Sequence, residues 1–200
     1  EELRETARDW DEIGATERLD LEEAARTAWD GVATEGATLE IVGPPGELSA
    51  DPDRLRRLLE NLFRNAVEHG STRSQPSADD AVEHGSTSPH SSSEDAVEHG
   101  STRSQRSADD AVDHGSPSVR VGVGTLGNGA GFYVEDDGPG IPPENRTEAF
   151  EAGFSTRSGG DGLGLAIVEG IANAHGWTVS IAESAEGGAR FEIRVRDHSG

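Results

Sequence analysis

Apolar residues along the chain switch between the spacing of a helix and the alternation of a strand. In four stretches they recur every three to four positions, as on one face of a helix. These stretches are residues 1–13, 21–32, 52–67 and 162–175; the third begins after Asp51 and the fourth is closed by Gly176. Five shorter stretches alternate as half-buried strands do, at residues 38–42, 119–124, 132–135, 177–182 and 190–196.

Turn sequences separate two pairs of these strands. Gly127-Asn128-Gly129 stands between the strands at 119–124 and 132–135, and Glu186-Gly187-Gly188 stands between the last two. Glycine-rich turns of this kind join neighbouring antiparallel strands. We therefore predict an α/β two-layer sandwich, with helices packed on one face of a mixed, mainly antiparallel sheet.

Residues 70–118 depart from both patterns and carry almost no large apolar side chains. The sequence AVEHGSTRSQPSADD at 66–80 recurs with a 15-residue period at 81–95 and 96–110, and a partial fourth copy follows at 111–118. Each unit offers only Ala and Val for burial, which is too little to offset the chain entropy. We predict that 70–118 is a disordered insertion between the two parts of the domain, 14–69 and 119–200.

The repeat brings histidines and carboxylates together at His84, His99 and His114. A metal site is the obvious alternative interpretation of that pattern. Zinc, however, needs ligands that converge at a fixed geometry, and sequence duplication alone explains the spacing. We therefore expect no ligand role for these histidines.

The charge of the chain is strongly one-sided. Its 17 basic residues are all Arg, its acidic residues number 39, and the formal net charge is −22. Such a surface repels itself unless counterions screen it, which is typical of proteins from a high-salt cytoplasm. Nucleic acid is not expected as a partner, because no face can gather enough positive charge to neutralise phosphates.

The chain lacks Cys, Met and any long apolar segment, and these absences limit where we expect the protein to be located. The chain has no Cys, which excludes disulfides and thiolate zinc sites and suits a cytoplasmic location. It has no apolar run long enough to span a membrane and no signal peptide, so we expect any membrane attachment to lie upstream. It also lacks Met, so we expect it to be part of a longer polypeptide.

Three short blocks of polar and glycine residues interrupt the apolar pattern. They are Asn65 within LLENLFRNAVEHG, DDGPG at 136–140 and GDGLGL at 160–165. An amide oxygen such as that of Asn65 is a ligand that Mg²⁺ accepts beside phosphate oxygens. A short carboxylate such as Asp136 can accept a hydrogen bond from the exocyclic amine of adenine.

The glycines in these blocks favour close contact between backbone and ligand. Gly138 and Gly140 permit a tight turn beside a flat ring. The third block runs into a helix whose free N–H groups suit phosphate, and Arg157 adds a charged donor. Each block alone also fits a structural role, as an Asn inside a helix, an Asp in a turn or glycines at a helix end. Their order predicts an ATP site.

Together the blocks resemble the N, G1, F and G2 boxes of the ATP-binding catalytic domain of sensor histidine kinases, in the superfamily shared with gyrase, Hsp90 and MutL. The resemblance covers the chain outside the repeat and implies a Bergerat-type ATP-binding fold. It implies that Asn65 binds Mg²⁺ and that Asp136 binds adenine. The other nucleotide-binding residues that it implies are Gly138, Gly140, Ile141, Phe150, Phe154, Ser155, Thr156, Arg157, Gly160, Gly162, Leu163, Gly164 and Leu165.

One position separates a kinase from a hydrolase. Gyrase-like ATPases carry a Glu four residues before the metal-binding Asn, whereas Asn61 stands there in this chain. An amide cannot act as a general base, and Glu60 is turned about 100° away around the helix. The catalytic set that we expect is Asn61, Asn65, His69 and Arg157, with His69 beside Glu68, where the family has a basic residue. The alternatives are a nucleotide-binding regulatory module without kinase activity and a gyrase- or Hsp90-like ATPase.

The phosphoacceptor and the partners are implied by the resemblance alone. The family's acceptor histidine is followed by an acidic residue, and each of the 7 histidines here is followed by Gly or Ser. We therefore expect the acceptor to lie upstream, with residues 1–13 as the end of a dimerisation helix. The resemblance implies a homodimer through such helices and a response regulator receiver domain as partner. Ala189 stands where the family often has Thr.

Overall fold

The computed structural model describes residues 13–32, 36–44, 46–70, 119–153 and 162–195. The chain divides into two units, one of residues 1–74 with 116–200 and one of residues 75–115, and every described residue belongs to the first. The predicted helix at 1–13, apart from Ile13, and the predicted insertion at 70–118, apart from Gly70, lie outside the described residues. Gly70 is the last residue of the helix that begins at Pro52, so it does not belong to the insertion. Ile13 itself is not helical.

The described residues form seven strands and three helices. In chain order these are β1 (Glu17–Asp20), α1 (Leu21–Asp30), β2 (Ala37–Val42), β3 (Glu47–Ala50), α2 (Pro52–Gly70), β4 (Val119–Thr125), β5 (Gly131–Asp136), α3 (Gly164–Ala174), β6 (Thr178–Glu183) and β7 (Ala189–Arg194). Short 3₁₀ turns occur at Gly127–Gly129, Pro143–Asn145 and Glu148–Phe150.

Five strands make one mixed sheet in the order β2-β4-β5-β7-β6. The β2–β4 pair is parallel and the other three pairs are antiparallel. Apolar side chains on one face of the sheet, such as Val121, Val134 and Ile193, join a single core with the leucines of α2. Because the three helices contribute to this same core, the predicted two-layer α/β sandwich is confirmed.

The helix packing follows the apolar spacing along α2. Its buried residues include Leu55, Leu58, Leu59 and Leu62, which recur at helical spacing and face the sheet. Phe63 on the same helix meets Trp29 of α1 edge to face, with ring centroids 5.2 Å apart. The helix α2 is therefore held between α1, α3 and the sheet, and its position is fixed along its length.

Two elements differ from the sequence prediction. The strands β1 and β3 pair as a separate antiparallel ribbon that the sequence pattern did not predict. Each strand has four residues with one leucine, and Leu19 pairs with Leu48, so the alternation is too short to be recognised. The predicted helix at 162–175 begins at Gly164, because Gly162 has a φ of +60°, which a right-handed helix cannot accommodate.

The end of α2 lies against the start of β4. A Cβ added to Gly70 would lie 2.6 Å from one methyl carbon of Val119, and its Cα lies 3.2 Å from the Cβ position of Gly138. Only a residue without a side chain fits this contact. Gly70 and Val119, the described residues on either side of 71–118, are therefore in contact.

Candidate functional site

Asp136, the last residue of β5, is held by backbone groups from two neighbouring turns. Its Oδ1 atom accepts hydrogen bonds from the N–H of Gly138 at 2.9 Å and from the N–H of Ala189 at 3.2 Å. Its carbonyl oxygen accepts a hydrogen bond from Ser184 Oγ at 2.8 Å, and the same Oγ accepts one from the N–H of Gly188 at 2.9 Å. The carboxylate is thus fixed by both its side chain and its backbone.

Two glycines allow the turns to pass close to Asp136. A Cβ on Gly188 would overlap the carbonyl of Asp136, so the β6–β7 turn can approach only with glycine there. Gly140 has a φ of +72°, and a Cβ on it would lie 2.8 Å from the carbonyl oxygen of Gly187. Such a conformation and such a contact both disfavour other residues. These glycines are therefore needed for the two turns to pack against each other and against the end of β5 beside the carboxylate.

The second carboxylate oxygen of Asp136, Oδ2, accepts no hydrogen bond from the part of the chain that the structure describes. Burial raises the pKa of Asp136 above its ordinary value of 3.8, although the N–H groups of Gly138 and Ala189 oppose this shift. The charge of Asp137 raises the pKa further, whereas the nearby His69 lowers it. A half-buried carboxylate with one oxygen unoccupied is suited to accept a hydrogen bond from a ligand.

The predicted polar residues of α2 face the start of α3. A Cβ added to Gly164 would lie 3.2 Å from Asn65 Oδ1 and 3.7 Å from Asn61 Oδ1. The amide nitrogen of Asn61 donates to the carbonyl of Arg57 at 2.7 Å, which turns its oxygen toward Gly164. The structure therefore brings Asn61, Asn65 and Gly164 together.

Glu60 points elsewhere, as expected for a residue about 100° away around the helix. Its Oε1 lies 3.1 Å from the position of a Cβ on Gly31, at the end of α1. Arg56 lies 4.0 Å from the same oxygen. The carboxylate next to Asn61 in sequence is therefore directed at α1, away from the Asn65 side of the helix.

The N-terminus of α3 has no side-chain cap among the described residues. Leu163 occupies the capping position and cannot accept hydrogen bonds from the first N–H groups of the helix. The N–H of Gly153 donates to the carbonyl of Gly162 at 3.0 Å, which joins the two ends of the segment 154–161. Uncapped N–H groups and the positive end of the helix dipole are suited to phosphate.

The remaining predicted residues fall into two groups. Ile141 and Leu165 pack against the hydrophobic core, and Phe150 is half-buried at the 3₁₀ turn beside α3. Phe154, Ser155, Thr156, Arg157 and Gly160 lie outside the described residues. The structure therefore places Asp136, His69, Asn61, Asn65 and Gly164 in one region, and the role of each predicted site residue stays a prediction.

Sequence reasoning missed Ser184, which is 7% exposed and connects two turns. A lone serine before a glycine-rich turn gives no local signal of this role, since its two partners, Asp136 and Gly188, lie 48 and 4 positions away. Ala189 was noted only as a residue that stands where the family often has Thr. The N–H of Ala189, which every residue except Pro supplies, is a hydrogen-bond donor to Asp136.

A groove of about 220 Å³ lies on the helix-free side of the sheet. It is lined mainly by Glu40, Glu135, Asp137 and Glu186, with Arg120 as its basic residue. Arg120 is engaged by Glu186 at 3.1 Å and by Asp137 at 3.9 Å. The groove also reaches Asp136 and Ser184, so it adjoins the Asp136 end of the candidate site, and its acidic lining disfavours phosphate there.

The residues at the site fit a magnesium-bound nucleoside triphosphate. Both hydrogen bonds to the Asp136 carboxylate go to Oδ1, so its Oδ2 suits the exocyclic amine of an adenine. The amide oxygens of Asn65 and Asn61 border a space that a Cβ on Gly164 would enter. Neutral oxygen donors of this type hold Mg²⁺ when phosphates supply further ligands. No group of three or more His, Asp or Glu residues with metal-binding geometry occurs within the described ranges.

Comparison with known proteins agrees with this geometry. Residues 104–199 match the family described as histidine kinase-, DNA gyrase B- and HSP90-like ATPase. The chain is 28% identical to the sensor histidine kinase CpxA of Escherichia coli over 166 residues, which is 79% of this chain and 26% of CpxA. It is 52% identical to the sensor protein RstB of Escherichia coli over 73 residues, 34% of this chain and 17% of RstB.

The fold is also similar to solved structures. The mycobacterial sensor histidine kinase MprB aligns with a TM-score of 0.59 and 21% identity, over 90% of this chain and 97% of that chain. At this identity the likeness concerns the fold. The chain spans about a quarter or less of the length of CpxA and RstB. Of the helices in the described part of the chain, none has the length and apolar character needed to cross a membrane.

Proposed function

We propose that this chain, which carries a domain of the histidine kinase-, DNA gyrase B- and HSP90-like ATPase family, is the ATP-binding catalytic domain of a two-component sensor histidine kinase. In this proposal ATP is the substrate, and its γ-phosphoryl group passes to a histidine on an upstream segment. The observation that carries it is the carboxylate of Asp136, which has one oxygen fixed by the backbone and the other available.

Adenine recognition is assigned to the end of β5. Asp136 Oδ2 accepts a hydrogen bond from the exocyclic amine of adenine, while Oδ1 keeps its two backbone partners. Gly140 and Gly188 let the turns beside Asp136 pack closely around it, because a side chain at either position would meet backbone atoms. A base without an amine at this position, such as guanine, offers no donor to the carboxylate. The site therefore favours ATP over GTP.

The phosphates are assigned to the start of α3 and to the facing side of α2. The uncapped N–H groups after Leu163 donate to phosphate oxygens, and Arg157 adds a charged donor. Asn65 contributes an oxygen ligand to Mg²⁺, which when bound neutralises phosphate charge during transfer. His69 lies close enough to Asp136 to lower the pKa of that carboxyl group. It is therefore assigned a place between the adenine-binding and the phosphate-binding parts of the site.

Transfer rather than hydrolysis follows from the side chain of Asn61. Its amide nitrogen already donates a hydrogen bond to the carbonyl of Arg57, and an amide has no basic lone pair with which to activate water. The carboxylate of Glu60 is directed at Gly31. A protein acceptor that brings its own nucleophile needs only positioning and charge neutralisation from this domain.

The wider setting belongs to the same proposal. The acceptor histidine and the helices of a homodimer lie upstream, and a response regulator receiver domain takes the phosphoryl group. The net charge of −22 indicates a cytoplasm of high salt and excludes nucleic acid as a partner. Any attachment to a membrane runs through upstream segments. The domain itself works on the cytoplasmic side.

The first test is calorimetric titration of this chain with Mg·ATP in molar KCl. We expect binding by the parent chain and strong weakening in both Asp136→Asn and Asn65→Ala. Asp137→Asn is the matched control: Asp137 is adjacent, but its Oδ1 accepts from the N–H of Arg120 at 2.9 Å on the other side of the strand. Absence of binding by a folded parent chain would contradict the proposal.

Two further outcomes separate the alternatives. Steady hydrolysis of ATP by the isolated chain would favour a gyrase- or Hsp90-like ATPase. Tight binding without transfer to any histidine of the longer natural protein would favour a regulatory nucleotide-binding module. The kinase proposal requires binding, no steady hydrolysis, and phosphorylation of a histidine in that longer protein.

A further inference from the structure

Three distant parts of the chain meet at Asp51, the residue before α2. Its Oδ1 atom accepts hydrogen bonds from the N–H groups of Asp53 at 3.0 Å and Arg54 at 3.1 Å, which caps the helix. Its Oδ2 atom accepts a hydrogen bond from the N–H of Gly14 at 2.7 Å. Its own N–H donates to Nε2 of His175 at 3.1 Å. The segment entering the domain, α2 and the end of α3 are thus joined at one residue.

His175 is held in a fixed orientation just after α3. Its Nδ1 atom lies 2.9 Å from the carbonyl of Ile171, and its ring stacks on Trp177 with centroids 4.3 Å apart. Because Nε2 accepts a hydrogen bond from Asp51, Nδ1 carries the proton and donates to Ile171. Trp177 is 3% exposed, so the imidazole is supported by the core.

Asp51 remains charged in this environment. Its burial opposes ionisation, but the N–H groups of Arg54, Gly14 and Asp53 lower the pKa below the ordinary value of 3.8. Hydrogen bonds to a charged acceptor are about twice as strong as neutral ones. The bond from Gly14, at 2.7 Å, is the shortest of the three that the carboxylate accepts.

Capping α2 does not account for the bond to Gly14. A helix cap requires one side-chain oxygen, and Asp20 caps α1 in that way, accepting from Glu23 at 3.0 Å without a long-range partner on its side chain. Asp51 uses its second oxygen for a residue 37 positions away. A Cβ on Gly14 would lie 2.7 Å from that oxygen, so the contact also requires glycine there.

We propose that these bonds form a latch, the Asp51 latch, through which Asp51 fixes the incoming segment to the two helices of the nucleotide site. The helix α2 carries Asn61 and Asn65, and α3 begins at Gly164 and ends beside His175. Asp51 is therefore a positioning residue: it sets the direction in which the chain enters the body that holds ATP. This inference rests on the proposed function for its role in phosphoryl transfer.

The latch is tested first in the 200-residue chain, by amide hydrogen exchange at position 14. Asp51→Asn keeps a capping oxygen and turns an NH₂ group toward the N–H of Gly14, and Gly14→Ala crowds the same contact while leaving Asp51 intact. We expect protection at position 14 to fall by about 10-fold or more in both variants. Asp20→Asn is the matched control and leaves this amide unchanged. Unchanged protection in the two latch variants would overturn the proposal.

The second readout separates positioning from general stability. In the longer natural protein with its upstream histidine, Asp51→Asn and Gly14→Ala should lower kcat for phosphorylation by roughly 10-fold and leave KM for ATP within about 2-fold. Unchanged kcat after the Gly14 bond is lost would overturn the positioning role. A parent protein that transfers nothing would overturn the proposed function, and with it that role, while the exchange at position 14 still decides whether the latch exists.

Discussion

Asp51 and Asp136 are two aspartates at the ends of elements, both held by backbone N–H groups, and their pKa values move in opposite directions. Asp51 uses both carboxylate oxygens, and its pKa is lowered despite burial. Asp136 uses one oxygen, and burial with the neighbouring charge of Asp137 raises its pKa. A carboxylate whose oxygens are all satisfied stabilises the fold. A carboxylate with one oxygen left without a hydrogen-bond donor can accept a hydrogen bond from a ligand.

The largest difference is expected in stability. Asp51→Ala removes the cap of α2 and the bond from Gly14, so we expect a loss of about 2–3 kcal/mol in the free energy of unfolding. Asp136→Asn keeps a hydrogen-bond acceptor and removes a partly buried charge, so unfolding should be unchanged or slightly harder. Urea unfolding of both variants in molar KCl measures the two effects. Equal losses in the free energy of unfolding would mean that Asp51 and Asp136 contribute equally to the stability of the fold.

A second prediction uses pH to separate the two carboxylates. Asp136 has a raised pKa, so on acidification it takes up its proton above 3.8 and loses its capacity to accept the adenine amine. Asp51 has a lowered pKa, so the stability from its charged form is present above 3.8 and is lost only as pH falls further. We therefore expect ATP binding to be lost before Asp51 ceases to stabilise the fold.

Calorimetric titration and circular dichroism over the acid range measure this order. The protonation of ATP also changes with pH, and the same measurement on Asp136→Asn corrects for it. The residual affinity of this variant for ATP should depend less on pH than the affinity of the parent chain. Parallel curves for parent and variant would show that Asp136 does not govern the acid loss of binding.

A third prediction concerns the support of Asp136. Ser184→Ala removes the hydroxyl that bonds the carbonyl of Asp136 and the N–H of Gly188. We expect a loss of about 1 kcal/mol in stability and roughly 5-fold weaker ATP binding, because Asp136 loses a constraint on its position. Ser180→Ala, an exposed change on the preceding strand β6, is the control. Thermal unfolding and titration together test whether Asp136, like Asp51, depends on bonds from distant residues.

The smallest effect is expected at Asp20, which has the capping role of Asp51 alone. Asp20→Ala removes one hydrogen bond at an exposed helix start, so we expect a loss of about 0.5–1 kcal/mol. For a domain of this size that lowers Tm by about 2 °C. A loss as large as that of Asp51→Ala would remove the reason for treating Asp51 as more than a cap.

These differences also explain what the sequence could predict. Motif order identified Asn61, Asn65 and Gly164 as candidate residues but not their contact, since about 100 positions separate Gly164 from the other two. The helix α2 follows from apolar spacing, because that spacing depends on residues near one another in sequence. The same holds for Asp136 at a strand end and for the glycine closure of α3 at Gly176, whose φ is +70°. Local patterns of this kind record local geometry.

The long-range bonds had no such signal. Gly14, Asp51 and His175 are separated by 37 and 124 positions, and each also fits an ordinary loop, cap or helix end. The ribbon of β1 and β3 is recognisable only once Leu19 and Leu48 are seen to pair. Pairing between distant residues depends on the folded arrangement, which a single sequence does not encode at any one position.

The contact of Gly70 with Val119 has a consequence for how this gene can change. The last residues of α2, AVEHG at 66–70, are also the first residues of each 15-residue unit, and they recur at 81–85 and 96–100. A recombination event that removes 66–80 places Ala81 directly after Asn65, and Gly85 then takes the position of Gly70. Whole units can therefore be lost or gained by unequal crossing-over while the helix keeps its sequence and its terminal glycine, which makes the repeat number free to vary without a mutation in the folded domain.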